Sequence, residues 1–294
     1  MAGVDPKVSI GLPVYNGEGH LRVTLDSLLA QTYDEFEIVI SDNASTDSTQ
    51  DICREYEDRD ARIRYFRNEK NLGASPNFCR VFELARGKYF KWAGHDDTFE
   101  ATLLEKAVPI LDGDDSVVLC YWLETMVSEY GQVLRSYSAD RRFEVDSTDP
   151  ATRFAQLLWH ERSGFQGDPV YGVIRSDALR TTDLVTPSFQ TNWLLMQELS
   201  LVGAFFTIPE MLASRRYNAE RSTAASLIRW LDSSRSKVGF PHFRVAGDYY
   251  RVAARSPYLD RGQRWRVYGE IAKYFSMPDR MRGYAWDLTK GRFA

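Results

Sequence analysis

The sequence has few cysteines and lacks any long apolar run. Its 294 residues include three cysteines, Cys53, Cys79 and Cys120, which lie far apart and form no CxxC pair. Neither a disulfide framework nor a zinc site is therefore expected. No stretch of 18 apolar residues occurs, and the first residues, MAGVDPKVSIG, have neither the basic stub nor the apolar core of a signal peptide. We expect a cytoplasmic protein, with the inner face of the membrane as a second location.

Several catalytic signatures are also absent. The chain has no GxxxxGK(S/T) loop, no HExxH and no GxSxG, so the P-loop, zinc-protease and esterase classes lack their residues. The segment Gly17-Glu18-Gly19 begins like a dinucleotide fingerprint, but Arg22 occupies the place of the third glycine. Binding of NAD is therefore not expected.

The charge is distributed unevenly along the chain. The net charge is −4, but residues 221–294 contain 15 Lys and Arg against 6 Asp and Glu, a balance of +9, which leaves −13 for residues 1–220. Such an asymmetry is typical of a surface that faces an anionic partner. The alternative is a solvated basic face on helices.

The order of predicted elements indicates the fold class. Up to residue 125 strand patterns alternate with helix patterns, which favours a mostly parallel sheet covered on both faces. The strands are predicted at 7–14, 36–42, 63–66, 88–93 and 116–122, and the helices at 18–30, 46–59, 74–86 and 99–111. We therefore predict a Rossmann-like α/β/α sandwich.

The rhythm changes beyond residue 125. A hairpin with its turn at Tyr130-Gly131, a helix at 150–160, a strand at 168–175, a helix at 190–203 and a strand at 204–209 are predicted. After residue 224 the pattern is helical and rich in Arg, Tyr and Trp. We predict a first domain of residues 1–224 and a helical, basic and aromatic C-terminal extension of residues 225–294.

Polar residues follow the early strands where a parallel sheet binds its ligands, outside the carboxyl ends. Asp42 ends the second strand, and either caps a turn or accepts a hydrogen bond from a nucleoside base or ribose. Tyr15 follows the first strand and could stack on that base. These positions predict a nucleotide pocket at this edge.

Two adjacent carboxylates, Asp96 and Asp97, follow the fourth strand in YFKWAGHDD. Neighbouring carboxylates repel unless a cation screens them, and Mg²⁺ is usually held by one or two carboxylates together with substrate phosphates. The alternative is an N-cap with a solvated neighbour. The sequence leaves three roles open for His95: a metal ligand, a ribose contact or an ordinary loop residue.

These segments resemble the family 2 glycosyltransferases, whose nucleotide-sugar-binding fold is called GT-A. The resemblance covers about residues 7–125, through VSIGLPVYNGEGHLRVTLDSLLAQTYDEFEIVISDNASTDST and NLGASPNFCRVFELARGKYFKWAGHDD, and is looser between 165 and 222. It implies that Asp42 reads the base. It also implies that the nucleoside pocket is lined by Pro13, Val14, Tyr15 and Asn16, and the ribose and diphosphate by Asn71, Gly73 and Asn77.

The resemblance also implies a divalent metal, Mn²⁺ or Mg²⁺, bound at an Asp-x-Asp motif. Aligned with that motif, the chain has Gly94 in place of the first acid and His95 in the middle, near the ribose. Asp96 is then the metal ligand, and Asp97 assists it or caps the helix. Asn218 occupies the position where relatives often have a metal-binding histidine.

The general base is the main departure from the family pattern. Relatives that invert the sugar have a carboxylate at the start of the helix TNWLLMQELSLVG, where this chain has Asn192, and an amide cannot take a proton from a hydroxyl. Three hypotheses remain: another acid, Asp168 or Glu198, serves as the base; Asn192 is an inactivating substitution; or the protein has lost activity. Glu198 lies about one and a half helical turns beyond Asn192, so its side chain should point away from the base position, and Asp168 is the better substitute.

The resemblance implies an inverting glycosyltransferase that moves a sugar from a UDP-, GDP- or dTDP-sugar to a hydroxyl of a glycan or glycolipid acceptor. The alternatives are a catalytically impaired nucleotide-sugar-binding protein and a nucleotidyltransferase. No nucleic-acid partner is expected. The basic C-terminal part predicts peripheral contact with an anionic membrane, an anionic acceptor or a homodimer interface.

Overall fold

The structure is a computed structural model that describes residues 6–136, 144–160, 168–186, 188, 190–217, 241–278, 280–282 and 284. Nine strands run in chain order as β1 Val8–Val14, β2 Phe36–Asp42, β3 Ile63–Arg67, β4 Tyr89–Trp92, β5 Thr98–Phe99, β6 Val117–Val127, β7 Val133–Ser136, β8 Val173–Arg175 and β9 Ala204–Arg216.

Helices follow most of these strands. They are α1 Leu21–Leu29, α2 Thr49–Arg59, α3 Ala74–Glu83, α4 Leu103–Gly113, α5 Pro150–His160, α6 Ser176–Leu179, α7 Thr191–Val202, α8 Pro241–Arg255 and α9 Arg261–Phe275, with a short 3₁₀ turn at Pro169–Tyr171. No helix in the described part of the chain is long and apolar enough to cross a membrane.

The strands form one sheet in the order β3-β2-β1-β4-β8-β6-β9-β5, and β7 pairs with the outer part of β6. The first four strands of this order are mutually parallel, and β6 is parallel to β9. The short β8 runs antiparallel to both β4 and β6. The predicted, mostly parallel α/β/α sandwich is confirmed.

The sheet is buried on both faces, which explains why its central strands are almost continuously apolar. One face packs on α1, α2 and α4, through side chains that include Leu25, Tyr56 and Leu104. The opposite face packs on α3 and α7, through side chains that include Val81 and Leu199. The carboxyl ends of β1, β2 and β4 therefore open at one edge, with helices on either side.

The two C-terminal helices pack on the sandwich. Tyr249 of α8 and Tyr274 of α9 are fully buried in a third cluster with Phe154 of α5 and Leu194 of α7. The described part of the predicted extension contains these two helices. The predicted boundary at residue 224 lies outside the described residues.

Element bounds agree with the sequence prediction to within about three residues except near the fourth strand, after residue 168, and at the ends of β6 and β9, which run to Val127 and Arg216 and not to 122 and 209. The helix predicted to start at residue 99 starts at Leu103, because Thr98–Phe99 forms a short strand against β9. The strand predicted at 168–175 is divided into a 3₁₀ turn and β8. The hairpin turn is confirmed: Gly131 has a φ of 81°, a conformation that favours glycine.

Candidate active site

The ends of β1, β2 and β4 meet at one edge of the sheet. Asn16 follows β1 with a φ of 51°, and its side-chain oxygen accepts a hydrogen bond from the Thr46 amide at 2.8 Å. A Cβ added to Gly17 would lie 2.9 Å from Cδ2 of His95, so the His95 ring covers this glycine. The predicted convergence of the β1 and β4 loops is therefore present.

Two of the four residues predicted to line the nucleoside pocket at the end of β1 are exposed. Tyr15 is 43 % exposed and Asn16 is also exposed, whereas Pro13 and Val14 are buried in the strand. The ring of Tyr15 is therefore accessible at this edge, whereas the side chains of Pro13 and Val14 are not.

Asp42 is fully buried at the end of β2. Its carboxylate accepts hydrogen bonds from the Tyr65 hydroxyl at 2.8 Å and the Ser45 amide at 2.8 Å, and it pairs with Arg67 at 2.5 Å. Burial raises the pKa of Tyr65 well above its ordinary range, and the hydrogen bond to Asp42 adds to the rise. A nucleotide base that forms a hydrogen bond with Asp42 would therefore contact a carboxylate already bound by Tyr65, Ser45 and Arg67.

Four asparagines join the ends of β2 and β3 to the start of α3. Asn43 donates to the side chain of Asn71 at 2.9 Å and to the backbone oxygen of Gly73 at 3.0 Å. Asn77 is 2 % exposed, accepts from Asn68 and donates to the backbone of β2. Asn71 and Gly73 lie in the loop before α3. Asn77, inside α3, accepts a hydrogen bond from Asn68 at the start of that loop.

The paired carboxylates Asp96 and Asp97 lie directly over Gly94. A Cβ at position 94 would lie 2.5 Å from Oδ2 of Asp97 and 3.2 Å from Oδ1 of Asp96. The Asp97 carboxylate therefore fills the space that a side chain at position 94 would take. Burial raises the pKa of Asp97 to about 7, and the charge of Asp96 adds to the rise while that of Arg215 opposes it.

Strand β9 holds this carboxylate pair. The backbone amide of Arg216 donates to Oδ1 of Asp97 at 3.0 Å, and its guanidinium donates to the backbone oxygen of Asp96 at 3.3 Å. The same guanidinium donates to the backbone oxygens of Ser128 and Glu129 at 2.8 and 2.7 Å. The loop after β4 is thus tied to the end of β9 and to the hairpin.

Asp168 and Asn192, predicted as alternative base positions, are in direct contact. The side-chain amide of Asn192, in the first turn of α7, donates to Oδ2 of Asp168 at 2.6 Å. Burial raises the pKa of Asp168; the charge of Arg215 and the hydrogen bond from Asn192 oppose that rise. A carboxylate is therefore present beside the position where the chain has an amide.

Arg215 links Asp168 to a buried acid that the sequence did not reveal as part of the site. Its guanidinium lies 3.6 Å from the Asp168 carboxylate, 3.2 Å from Glu124 and 4.7 Å from the ring centre of Tyr171. Glu124 is 2 % exposed, and burial raises its pKa although Arg215 opposes the rise. Two consecutive residues of β9 therefore contact both carboxylate sites: Arg215 lies beside Asp168 and the Arg216 amide binds Asp97.

Lys91 is a second buried charge that sequence reasoning missed. It is 1 % exposed, donates to the backbone oxygens of Trp92 and Tyr171 at 3.0 and 3.1 Å, and lies 4.0 Å from the ring centre of Phe99. Burial lowers the pKa of Lys91 to about 7, and Asp97 opposes this shift. The only signal was a lysine inside an otherwise apolar strand.

Glu198, another acid weighed as a base, lies apart from this site. Glu198 points to the other side of α7, where it accepts from the backbone amide of Asp183 at 2.9 Å, as expected. Asn218 lies outside the described residues. Within those residues, no group of three or more His, Cys, Asp and Glu side chains is arranged to hold a metal ion. A cation here would have two carboxylates, Asp96 and Asp97, and would need further ligands from the substrate.

Comparison with known proteins identifies relatives of this chain. The family described as Glycosyl transferase family 2 matches residues 9–164, just over half of the 294-residue chain. An uncharacterized glycosyltransferase of Rickettsia prowazekii is 33% identical over 148 residues, which are 49% of this chain and 45% of that protein. The putative teichuronic acid biosynthesis glycosyltransferase TuaG of Bacillus subtilis is 34% identical over 111 residues, 38% of this chain and 44% of that protein. The match therefore spans about half the length of these relatives.

Solved structures show the same fold. Staphylococcus aureus TarS in complex with UDP-GlcNAc superposes with a TM-score of 0.67 at 18% identity, covering 97% of this chain and 76% of that one. The mannosyltransferase PcManGT of Pyrobaculum calidifontis, in complex with GDP-Man and Mn²⁺, superposes with a TM-score of 0.59 at 15% identity, covering 99% and 76%. The predicted GT-A fold is confirmed by these neighbours.

Proposed function

This chain belongs to glycosyl transferase family 2, and from that premise we propose that it transfers the sugar of a nucleoside-diphosphate sugar to an acceptor hydroxyl, with inversion at the anomeric carbon. The acceptor oxygen forms a bond to that carbon as the bond to the diphosphate breaks, and the nucleoside diphosphate leaves. The hydroxyl proton passes to a carboxylate of the protein. Donor complexes of the structural neighbours, with UDP-GlcNAc and GDP-Man, support a nucleotide-sugar donor.

One observation carries this proposal: neighbouring residues of β9 contact both candidate carboxylate sites. The Arg216 amide binds Asp97, and the Arg215 guanidinium lies 3.6 Å from Asp168. The diphosphate end of a donor and the hydroxyl of an acceptor must lie side by side for a single displacement. Proximity fixed in this way lowers the barrier because the reacting groups need not be brought together in solution.

We assign the nucleotide to the edge formed by the loops after β1, β2 and β4. Tyr15 offers an exposed ring for the base, Asp42 and Arg67 form the polar group below it, and the Asn71-to-Gly73 loop borders the ribose and diphosphate. His95, packed over Gly17, lies between the β1 and β4 loops, and we propose that it contacts the ribose. The UDP-, GDP- and dTDP-sugars are the donors to compare.

The residues present fit a divalent cation. Asp96 and Asp97 converge over Gly94, and the raised pKa of Asp97 indicates a site where nearby positive charge would favour the ionised form. Mg²⁺ and similar hard cations are commonly held by one or two carboxylates plus phosphate oxygens. When bound, Mn²⁺ or Mg²⁺ would stabilise the negative charge that grows on the departing diphosphate. Asn218 is a further proposed ligand.

Asp168 is the proposed general base. Its side chain is 23% exposed, so an acceptor hydroxyl can reach it, and its pKa is raised, which strengthens it as a base once ionised. Asn192 then serves as the donor that orients Asp168. The charge of Arg215 opposes the rise in the pKa of Asp168 and so favours the ionised carboxylate.

A nucleotide-sugar-binding protein without turnover is the second candidate function. The observation that favours it is the amide of Asn192 at the position where the resemblance implies a carboxylate base. In that case Asp168 would be held by Asn192 and Arg215 for structural reasons alone. Turnover separates the two candidates, because both predict that the donor binds.

The acceptor is proposed to be a glycan or a glycolipid. Trp265 of α9 is 65% exposed, and its ring packs against Tyr268, which in turn contacts Tyr250 of α8. Exposed Trp and Tyr next to arginines suit the interface of an anionic membrane. We propose cytoplasmic action at such a surface; a homodimer through the same aromatic face is the alternative.

A thermal-shift screen combined with a transfer assay tests the proposed function. Donors that bind only the folded state raise its melting temperature, so UDP-, GDP- and dTDP-sugars are compared with and without Mn²⁺. We expect one nucleotide to stabilise the protein, more strongly with Mn²⁺, and to be consumed when acceptor is added. No stabilisation by any of these donors would contradict the proposal, and stabilisation without turnover would favour the second candidate.

A further inference from the structure

A cavity of about 620 Å³ lies on the far side of α7 from Asp168. It is bounded by residues within 181–186 and by Ser188, by α7, and by α8 with the residues that follow it. Small-molecule sites commonly have volumes of about 300 to 1,000 Å³. The cavity is therefore large enough for a ligand of its own.

The cavity is distinct from the proposed active site. Glu198, which lines it, follows Asn192 by six residues on α7, which corresponds to about 9 Å along the helix axis and about 240° around it. Asn192 faces Asp168, whereas Glu198 faces the Asp183 amide. One helix thus separates the two places and touches both.

Gly247 gives the cavity part of its width. This glycine lies in the middle of α8, where glycine is unfavourable, and a Cβ added there would meet no atom within 4 Å. Packing therefore does not require glycine at this position. Because Gly247 lines the cavity, we expect a larger side chain at this position to occupy part of it.

The cavity has apolar walls and a cationic rim. Leu194, Leu195 and Leu201 of α7 face Val252 of α8 across it. The rim is formed by Arg244, Arg251 and Arg255, whose spacing of seven and four places them on one face of α8.

The acids at the rim offset these charges only in part. Asp248 is paired with Arg251, and Asp183 lies 4.0 Å from Arg255. Burial raises the pKa of Glu198 to about 7, so its negative charge is only partly developed at neutral pH. Arg244 forms no ion pair with any other residue that the structure describes.

We propose that this cavity binds an anionic amphiphile, with a phosphate or carboxylate group at Arg244 and Arg255 and an aliphatic portion along the leucines of α7. The proposal follows from the joint presence of an apolar wall, an arginine rim and an unfilled glycine position. It does not depend on sugar transfer, because the cavity and the proposed active site lie on different sides of α7.

Binding of n-octyl phosphate to the full chain, measured by calorimetry below its micelle concentration, tests the proposal. We expect binding to the wild type, and a loss of about tenfold or more in affinity in Arg244→Gln, since a charge-assisted hydrogen bond is removed. Gly247→Leu should abolish binding by filling the cavity. Gly269→Leu is the matched control, because Gly269 is also an exposed glycine within a helix with no atom within 4 Å of an added Cβ.

Both glycine variants should keep the wild-type melting temperature or exceed it, since leucine favours a helix more than glycine does. Vesicles that contain phosphatidic acid distinguish a lipid from a soluble ligand: binding of both probes indicates a lipid, and binding of octyl phosphate alone indicates a soluble compound. No binding by the wild type, or unchanged binding by a folded Gly247→Leu, would overturn the proposal. Equal affinity for neutral octyl glucoside would overturn the requirement for an anion.

Discussion

The side-chain amide of Asn192 donates a hydrogen bond to the carboxylate of Asp168 across 2.6 Å. The residue at the expected base position therefore holds an acid from another segment of the chain. An amide has no affinity for the proton of a hydroxyl, but it can orient a carboxylate that does. Substitutions at Asp168 and Asn192 can therefore show which of the two positions supplies the general base.

Asp168→Asn tests the assignment of the base. We expect the rate of transfer to fall by about 10²- to 10⁴-fold, the usual contribution of a general base, while the donor-induced thermal shift is kept. Glu198→Gln is the matched control, because Glu198 is also a carboxyl with a raised pKa but lies on the other side of α7. A greater loss in Glu198→Gln than in Asp168→Asn would contradict the assignment.

Asn192→Asp separates the hypotheses about the missing acid. It would place a second carboxyl beside Asp168, and when two such groups share a proton, the pKa for losing that shared proton is raised. If Asp168 is the base, the rate must fall with decreasing pH through this higher pKa, so that the acid limb of the pH profile moves upward and activity at pH 7 decreases. The pH dependence of kcat/KM measures this shift.

The opposite result has a distinct meaning. If Asn192 is an inactivating substitution, Asn192→Asp should raise the rate at pH 7. Stability offers a second check: a carboxyl with a raised folded-state pKa favours the folded state below that pKa, so the melting temperature of the variant should fall as pH rises. An increase in activity would assign the general base to position 192 and not to Asp168.

Much of this fold could be predicted from the sequence because its signals are local. Strands such as Val8–Val14 and Phe36–Asp42 are short apolar runs buried on both faces, and each ends in polar residues that mark the ligand edge. The turn at Gly131 depends on one residue's backbone freedom. Elements fixed by neighbours in sequence are the ones that sequence patterns describe well.

Contacts between distant segments could not be predicted in the same way. Glu124 and Lys91 look like surface charges within strands, and only the pairing of Glu124 with Arg215, 91 residues away, shows why it is buried. Helix α4 begins later than predicted for the same reason, because Thr98–Phe99 pairs with the distant strand β9. A charge or a strand end whose partner is far along the chain carries no local signal.

Gly94 is expected to be required for the carboxylate pair. A methyl group at this position would lie 2.5 Å from Oδ2 of Asp97, which is almost fully buried and held by the Arg216 amide. We expect Gly94→Ala to lower the free energy of unfolding by about 1 to 3 kcal/mol, as overpacking does, and Gly94→Asp to impair rather than improve activity.

Gly19→Ala is the control for this substitution, because an added Cβ there would meet no atom within 4 Å. Its stability should stay within about 0.5 kcal/mol of the wild type. Thermal and denaturant unfolding provide the measurement. Equal stability of the two alanine variants would show that the Asp97 carboxylate moves aside at little cost.

Trp265→Ala is expected to weaken contact with anionic membranes. Trp265 is the most exposed tryptophan side chain among those described, and its ring forms an aromatic surface with Tyr268. Cosedimentation with vesicles that contain anionic lipid should decrease in this variant. Tyr130→Ala is the control, since Tyr130 is 82% exposed on the β6-β7 hairpin. Cosedimentation of the wild type that does not depend on anionic lipid would contradict the prediction.

Asp96→Ala tests the proposed cation site. Its carboxylate faces the same point as that of Asp97 but is less buried, so its removal should leave the fold intact while removing one of two cation ligands. We expect the part of the donor-induced thermal shift that depends on Mn²⁺ to disappear, and the part seen without metal to remain. Glu129→Ala, an acid on the neighbouring hairpin whose backbone oxygen alone contacts Arg216, is the control. A Mn²⁺ effect that survives in Asp96→Ala would place the cation elsewhere, since a hard cation that loses one of two carboxylates should bind measurably more weakly.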